Sequence, residues 1–412
     1  SVVRSNIDLT KVNNAHFHSL KVFDVFRSHT NLSFNRLCFS GDDSFELSAL
    51  TSRNEYGCFN NIEEFDINNQ YYKTIDGIVY SNDGKTLIAC PGKKEGTIKV
   101  AEGTKYVLRC AFYNSHVSEI IFPDSLIELG PESIKSCDNL QHIDFGKGIK
   151  RIGGADMPTI SYCESLTELD IPEQVEVIGI NAFYCLKGLT TVHFHDGIKR
   201  IERYAFASCD KLNDITLPES VTNIGQFAFG AAENIHLQGH CLPRGLVKSI
   251  AQNSTAVYAP TEDMRAELLR SVVTVEINGT VVYIPKYMTT ETIHRTDDRF
   301  NTYGLTDEFY MFIYEMASCT NARQDIAARI YKLTKNEEVG SYLRRISNSY
   351  SSRLLKEGRE EDLVEFLKLG LMTENAIKKL LKKADEKEAA IVSAYILRLI
   401  DNTSITKTSF KL

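Results

Sequence analysis

Two sets of residues in this 412-residue chain carry side chains capable of chemistry. The first is a run of cysteines, Cys137, Cys163, Cys185 and Cys209, each three or four residues ahead of a leucine that opens an extended segment. Recurring thiols can serve as nucleophiles, metal ligands or halves of disulfides. The second set is a polar series: Glu119 and Ile121, His142 and Asp144, Glu168 and Asp170, Thr191 and His193, Asp214 and Thr216, Asn234 and His236. Imidazoles among carboxylates suit metal binding or a response to pH near neutrality. Both sets have plainer readings. The face of a strand that meets water is polar whatever binds it, and a small apolar position accepts Cys as readily as Ala.

The wider search for chemistry is negative. The chain has no Gly-x-Ser-x-Gly elbow, His-Glu-x-x-His, Walker loop or dinucleotide fingerprint. It has no Cys-x-x-Cys, the usual signature of structural zinc. A Ser-His-Asp triad has no fixed spacing, so only geometry can test for one. The expectation is no catalytic role, no cofactor and no metal. The place equivalent to the cysteines in the last full turn is Ala232, which can neither ligate nor cross-link. The cysteines therefore read as a buried, inert column of small apolar groups. Cys38, Cys58, Cys90, Cys110, Cys241 and Cys319 share no spacing and receive no role.

What must position these residues is a repeat. The segments VSEIIFP, LQHIDFG, LTELDIP, LTTVHFH and LNDITLP begin at Val117, Leu140, Leu166, Leu189 and Leu212, and Ile235 of IHLQG continues the series. The steps are 23, 26, 23, 23 and 23 residues, within the range of solenoid repeats. Further columns persist beyond the strands: Leu126, Ile149, Val175, Ile198 and Val221, then Leu129, Ile152, Ile178, Ile201 and Ile224, then Gly130, Gly153, Gly179, Glu202 and Gly225. Ala-Phe recurs at Ala182-Phe183, Ala205-Phe206 and Ala228-Phe229. Alternation in each strand turns two apolar side chains inward, and a Pro at the strand end removes a donor and stops the strand. One repeat cannot bury this face alone, whereas stacked copies form a continuous core. The turn after Leu140 carries a three-residue insertion around GADMPTI, where a local bulge is expected.

These columns resemble the BspA-like (Treponema-type) leucine-rich repeat family, whose copies read LxxIxLPxxVxxIGxxAFxxCxx. The segment YYKTIDGIVYSNDGKTLIACPGKK, residues 71–94, is similar to the family's DGxxY…LxxxP insert and reads locally as a β-hairpin about Asn82-Asp83-Gly84. The resemblance implies a leucine-rich repeat β-solenoid, with short parallel strands on the concave face and irregular or 3-10 turns on the convex face. It further implies a noncatalytic protein that binds a protein or glycan through the concave residues, on a bacterial surface or in secreted form as an adhesion-type protein.

The expected organisation is a degenerate cap over 1–60, a solenoid over 61–285 and an all-α helical domain over 286–412. Within the solenoid fall the hairpin insert at 71–90 and a closing strand and helix at 255–271. VEINGTVVYIP reads as a last hairpin with an Asn-Gly turn ending at Pro285. Beyond Leu305 the period becomes helical, with Thr306 as an N-cap, and residues 359–400 read as three helices broken at Gly370, Thr373 and near Asp385. Lys378, Lys379, Lys382 and Lys383 read as a solvated helix face, given Asp385, Glu386 and Glu388 beside them.

The net charge is −7. From Tyr287 onward there are 20 basic and 19 acidic residues, leaving 47−20 = 27 basic and 54−19 = 35 acidic in the body. An acidic body argues against nucleic acid as a partner. No stretch is long and apolar enough for a transmembrane helix, and SVVRSNIDLTKVNN shows no signal-peptide pattern. Two rival functions remain: an intracellular scaffold using solenoid and helices together, and a hydrolase using the acid and histidine face.

Overall fold

Each sequence repeat closes one turn of a parallel β-solenoid, and successive turns stack through three ladders. The computed structural model describes residues 62–254 except 69, 155 and 241, residues 271–304 and residues 317 and 319–408. It also describes isolated residues between 261 and 269, the backbone of Asn14–Phe17 and Phe34–Phe39, and side chains as far as residue 400. Most of the closing strand and helix expected at 255–271, and the Thr306 cap, lie outside the described residues. Asn14–Phe17, Phe34–Phe39 and Ile62–Ile67 form a parallel three-stranded sheet.

The first ladder holds Gly96–Lys99, Val117–Ile121, His142–Asp144, Glu168–Asp170, Thr191–His193, Asp214–Leu217, Asn234–Leu237 and Val272–Ile277. Where its strands are hydrogen-bonded they run parallel and, apart from a shift between Gly96 and Thr97, in register, His142 beside Glu119, Thr191 beside Glu168, Asn234 beside Asp214 and Thr274 beside Asn234. Alternation buries Ile120, Ile143, Leu169, Val192, Ile215 and Ile235. Hydrogen bonding is interrupted between His142–Asp144 and Glu168–Asp170, across the turn with three extra residues. A second interruption, before Asp214–Leu217, has no insertion to account for it.

The turns carry ladders of their own. Arg151–Ile152, Val177–Ile178, Arg200–Ile201 and Asn223–Ile224 pair in parallel, as do Ile134–Lys135, Ile160–Ser161 and Phe183–Tyr184. The glycine column lies beside the first of these. A Cβ on Gly179 would lie 2.4 Å from the Gly153 carbonyl oxygen, so close stacking excludes a side chain there. Glu202 breaks the column, and its carboxylate receives Arg151 from two turns back at 2.6 and 3.2 Å.

Two positions in most turns adopt a left-handed backbone without glycine. One series is Cys110, Glu132, Asn181, Tyr204 and Phe227; the other is Asn114, Ser136, Tyr162, Cys185 and Ser208, all with φ between 52° and 59°. A left-handed residue other than glycine costs roughly 1–2 kcal/mol. Backbone bonds to the next turn offset it, such as Tyr204 N to Gln226 O (3.0 Å) and Cys185 N to Ala207 O (2.8 Å). Glu132 adds a buried ionic contact with Arg109 (2.8 Å) and Lys135. Burial alone would raise its carboxyl, but the hydrogen bonds from Lys135 and Arg109 hold it below the usual range.

The insert is a three-stranded meander rather than a single hairpin. Tyr72–Ile75, Ile78–Ser81 and Thr86–Ala89 pair antiparallel, and the last strand then joins Tyr106–Val107 in parallel. Asp76 and Gly77 supply the extra turn, with φ of 48° and 76°. Two successive left-handed residues are what a two-residue hairpin loop requires. Asn278 and Gly279 (φ 49° and 75°) make the same turn between Val272–Ile277 and Thr280–Pro285, as their sequence signals.

Seven helices are described: α1 Leu246–Ile250, α2 Thr290–Tyr303, α3 Thr320–Thr334, α4 Glu337–Lys356, α5 Glu360–Lys368, α6 Glu374–Glu386 and α7 Ala390–Thr408. The chain forms two compact units. One contains the solenoid to residue 252, residues 273–281 and residues 293–304; the other contains residues 253–272, 282–292 and 305–412. In the first unit, buried Asp297 of α2 accepts the Val247 and Lys248 N–H groups at the start of α1 (3.1 and 3.3 Å) and pairs with the Lys248 ammonium at 3.1 Å. In the second, α5, α6 and α7 break where the sequence signals. Gly370 is left-handed at φ 70°, and the Thr373 hydroxyl accepts the Ala376 N–H as an N-cap. Leu363, Phe366 and Leu367 of α5 and Leu380 of α6 are buried.

Candidate functional site

The polar series lines the outward side of the first ladder in two rows. Parallel registration forces this, because residues two apart on a strand share a face and each strand repeats the next. Glu119, His142, Glu168, Thr191, Asp214 and Asn234 form one row; Ile121, Asp144, Asp170, His193, Thr216 and His236 form the other. His142, Asp144, Glu168, Asp170, His193, Asp214 and Thr216 are exposed, while Glu119, Ile121, Thr191, Asn234 and His236 are half-buried. The two interruptions separate them into three hydrogen-bonded groups.

The structure extends both rows at each end. Thr97 and Lys99 precede Glu119 and Ile121, and Thr274 and Glu276 follow Asn234 and His236. Sequence reasoning missed these four, although GTIKV and VTVEI show the same alternation. It also missed His195, just past the end of its strand.

Neighbouring strands tie these side chains together. His193 Nε2 lies 2.7 Å from Glu168 Oε1, and His195 Nε2 lies 2.7 Å from Asp170 Oδ1, two parallel diagonals across one strand step. His236 meets Glu276 at 3.1 Å, Asn234 donates to Asp214 at 2.7 Å and Thr97 donates to Glu119 at 2.6 Å. Exposed pairs of this kind contribute roughly 0–1 kcal/mol each. The five bonds link ten side chains of this face and add little to stability.

An acid–imidazole pair catalyses when it is held in a water-excluding pocket beside a reacting group. Here the His193 and Glu168 side chains are 51% and 64% exposed on an open sheet. Among the described residues, no group of three or more His, Cys, Asp or Glu side chains is placed to hold a metal ion.

The cysteine column needs one correction. Cys137, Cys163 and Cys209 are fully buried, and each carbonyl accepts the N–H of the residue three on, Leu140, Leu166 and Leu212. In the intervening turn the carbonyl that does this for Leu189 belongs to Leu186, so Leu186 fills the column and Cys185 stands one place earlier. Its left-handed backbone turns Cys185 partly outward, into the series of Ser136, Tyr162 and Ser208. None of the seven described cysteines is part of a disulfide. Burial pushes Cys209 up to about 12, and burial with the neighbouring Cys163 thiol pushes Cys137 well above the ordinary thiol value. Cys185 is raised too, by partial burial.

The folded protein treated with a maleimide at pH 7.5 is therefore expected to label at Cys185 well before Cys137, Cys163 or Cys209. Peptide mass spectrometry gives the order, and simultaneous labelling of all four would contradict it.

With this geometry in view, residues 89–156 and 158–254 match the family model described as BspA type leucine rich repeat region, in six copies. Three solved structures are similar. A leucine rich cell surface protein from Faecalibacterium prausnitzii is 23% identical over 56% of this chain and 52% of that one, with a TM-score of 0.35. A leucine-rich repeat protein from Eubacterium ventriosum is 20% identical over 52% and 61%, with a TM-score of 0.36. One from Bacteroides ovatus is 14% identical over 58% and 60%, with a TM-score of 0.36. This chain thus spans between 52% and 61% of each of those three. No curated protein matches it.

Proposed function

We propose that this chain, whose solenoid is a BspA-type leucine-rich repeat region, is a noncatalytic binding protein that takes a protein ligand on the outward rows of the first ladder. The observation that carries this reading is a long, exposed polar face whose spacing is fixed by a rigid backbone and whose side chains are linked by cross-strand bonds. Association costs conformational freedom, roughly 0.5–1.5 kcal/mol for each flexible side chain immobilised, and ordering in advance lowers that cost. The face is acidic, with Glu119, Asp144, Glu168, Asp170, Asp214 and Glu276 against Lys99. A ligand surface rich in Lys and Arg complements it.

The resemblance to BspA-like proteins supports a cell-surface or secreted setting and admits a glycan as an alternative ligand. No helix among the described residues is long and apolar enough to cross a membrane.

The test is a pull-down with the full chain followed by the double charge reversal Asp144→Lys/Asp170→Lys. Both side chains are exposed and Asp144 contacts only its own loop, through the Gly146 N–H at 2.9 Å, so the fold is expected to survive. Capture of the ligand is expected to fall at least tenfold, in line with charge pairs across an interface. Undiminished capture would remove this face from the account.

A further inference from the structure

The helical unit contains a cavity of about 260 Å³ lined by Asn348, Ser351 and Ser352 of α4 and by Thr373, Asn375, Ala376, Lys379, Leu380 and Lys383 at and along α6. We propose that it binds an oxyanion, a phosphate or phosphomonoester group, and that Lys379 and Lys383 are its charge partners. This site is separate from the solenoid face and independent of the function proposed for it.

The argument rests on what lines the cavity. No carboxylate is among the lining residues, although the surrounding helices are rich in them. Glu374, between two lining positions, is drawn to Lys378 at 2.8 Å and does not line the cavity. Lys379 and Lys383 lie one helical turn apart, so both ammonium groups reach the same space. Neither makes an ion pair among the described residues, whereas Lys378, Lys332 and Lys368 all do. Lys383 instead donates to the Ser352 hydroxyl at 3.1 Å, which leaves the Ser352 proton free to point into the cavity. The Thr373 hydroxyl accepts from the Ala376 N–H and keeps its own proton for a further acceptor.

The amides of Asn348 and Asn375 complete a wall in which donors outnumber acceptors, over a floor formed by buried Ser351 and Leu380. A group with several anionic oxygens and little bulk satisfies such a wall. Charge-assisted bonds are the strong ones. The volume lies just below the roughly 300–1,000 Å³ of sites for larger ligands. Lys382, also exposed and without an ion pair among the described residues, does not line the cavity, and it is this placement that sets Lys379 and Lys383 apart.

Isothermal titration of the full chain with inorganic phosphate and with O-phosphoserine tests the site. Saturable binding at one equivalent is expected. Lys379→Gln/Lys383→Gln should weaken it about tenfold or more, and Lys382→Gln should leave it unchanged. Tighter binding of O-phosphoserine would identify a phosphomonoester, and equal binding the free ion. The absence of saturable binding by either probe would overturn the proposal. So would an equal loss on Lys382→Gln, or a loss in the double variant accompanied by a lowered melting temperature.

Discussion

Replacing Phe206 with Ala is expected to destabilise the solenoid by about 3–5 kcal/mol, the range for truncating a well-packed buried aromatic. Phe206 is 1% exposed and stacked between Phe183 at 5.1 Å and Phe229 at 5.5 Å, with Phe194 edge-on at 5.8 Å. Its loss removes the middle ring of three from successive turns, and backbone bonds hold those turns too firmly to close the gap. Phe206 N donates to Ala228 O at 3.1 Å, and Phe183 N donates to Ala205 O at 2.8 Å. Cys209→Ala, three residues away and equally buried, removes one heavy atom and should cost about 0.5–1.5 kcal/mol. Denaturant titrations of both variants give the comparison. A larger loss from Cys209→Ala would mean that the sulfur, not the aromatic stack, holds that layer.

Asp325→Ala is expected to destabilise the helical unit by a comparable amount, about 3–5 kcal/mol, because it strands buried positive charge. Asp325 is 5% exposed and receives Arg353 at 2.6 Å and Arg359 at 3.0 Å, joining α3, α4 and the start of α5. Burial works against the charge on Arg359, but Asp325 and Asp362 more than offset it, and its pKa is raised. Glu357 lies 3.1 Å from Arg353 and 3.5 Å from Arg359, so some compensation survives and the lower half of the range is the better expectation. The double variant Asp325→Leu/Arg353→Met should be milder than Asp325→Ala alone, because it removes both charges of one pair. A double variant less stable than Asp325→Ala would show that desolvation is not the dominant cost.

The solenoid was legible because its evidence repeats. A column shared by five turns outweighs local ambiguity in any one of them, and the strands from Val117 to Leu217 follow from alternation alone. The breaks at Gly370 and Thr373 were legible for the opposite reason, since a left-handed glycine and a hydroxyl cap act within a few residues of where they stand. Cys185 stands four residues ahead of its leucine where Cys137, Cys163 and Cys209 stand three ahead, a difference that the repeat pattern alone does not interpret. The structure shows that this one residue separates a buried position from a left-handed outward one.

Contacts set by tertiary geometry were not legible. The partners in Asp325–Arg353 stand 28 residues apart with no periodicity to link them, and those in Arg151–Glu202 stand 51 apart, two repeats plus two. The His193–Glu168 and His195–Asp170 diagonals span 25 residues each. That is a repeat plus two, a spacing that identifies a cross-strand diagonal only once parallel register is established. The oxyanion cavity is likewise invisible in the run Lys378-Lys379-x-x-Lys382-Lys383. The helix turns those side chains in different directions, and α4 decides which of them share the open cavity.

The central claim is that one face of the solenoid, and not its charge in general, holds the ligand. Binding of the captured partner should therefore be measured by surface plasmon resonance for two full-length variants. Asp144→Lys/Asp170→Lys alters the first ladder, and Lys150→Glu/Arg200→Glu alters exposed residues beside the second. The account predicts at least a tenfold loss for the first variant and an affinity within about twofold of the parent for the second. Equal losses in both, or a loss confined to the second, would contradict it.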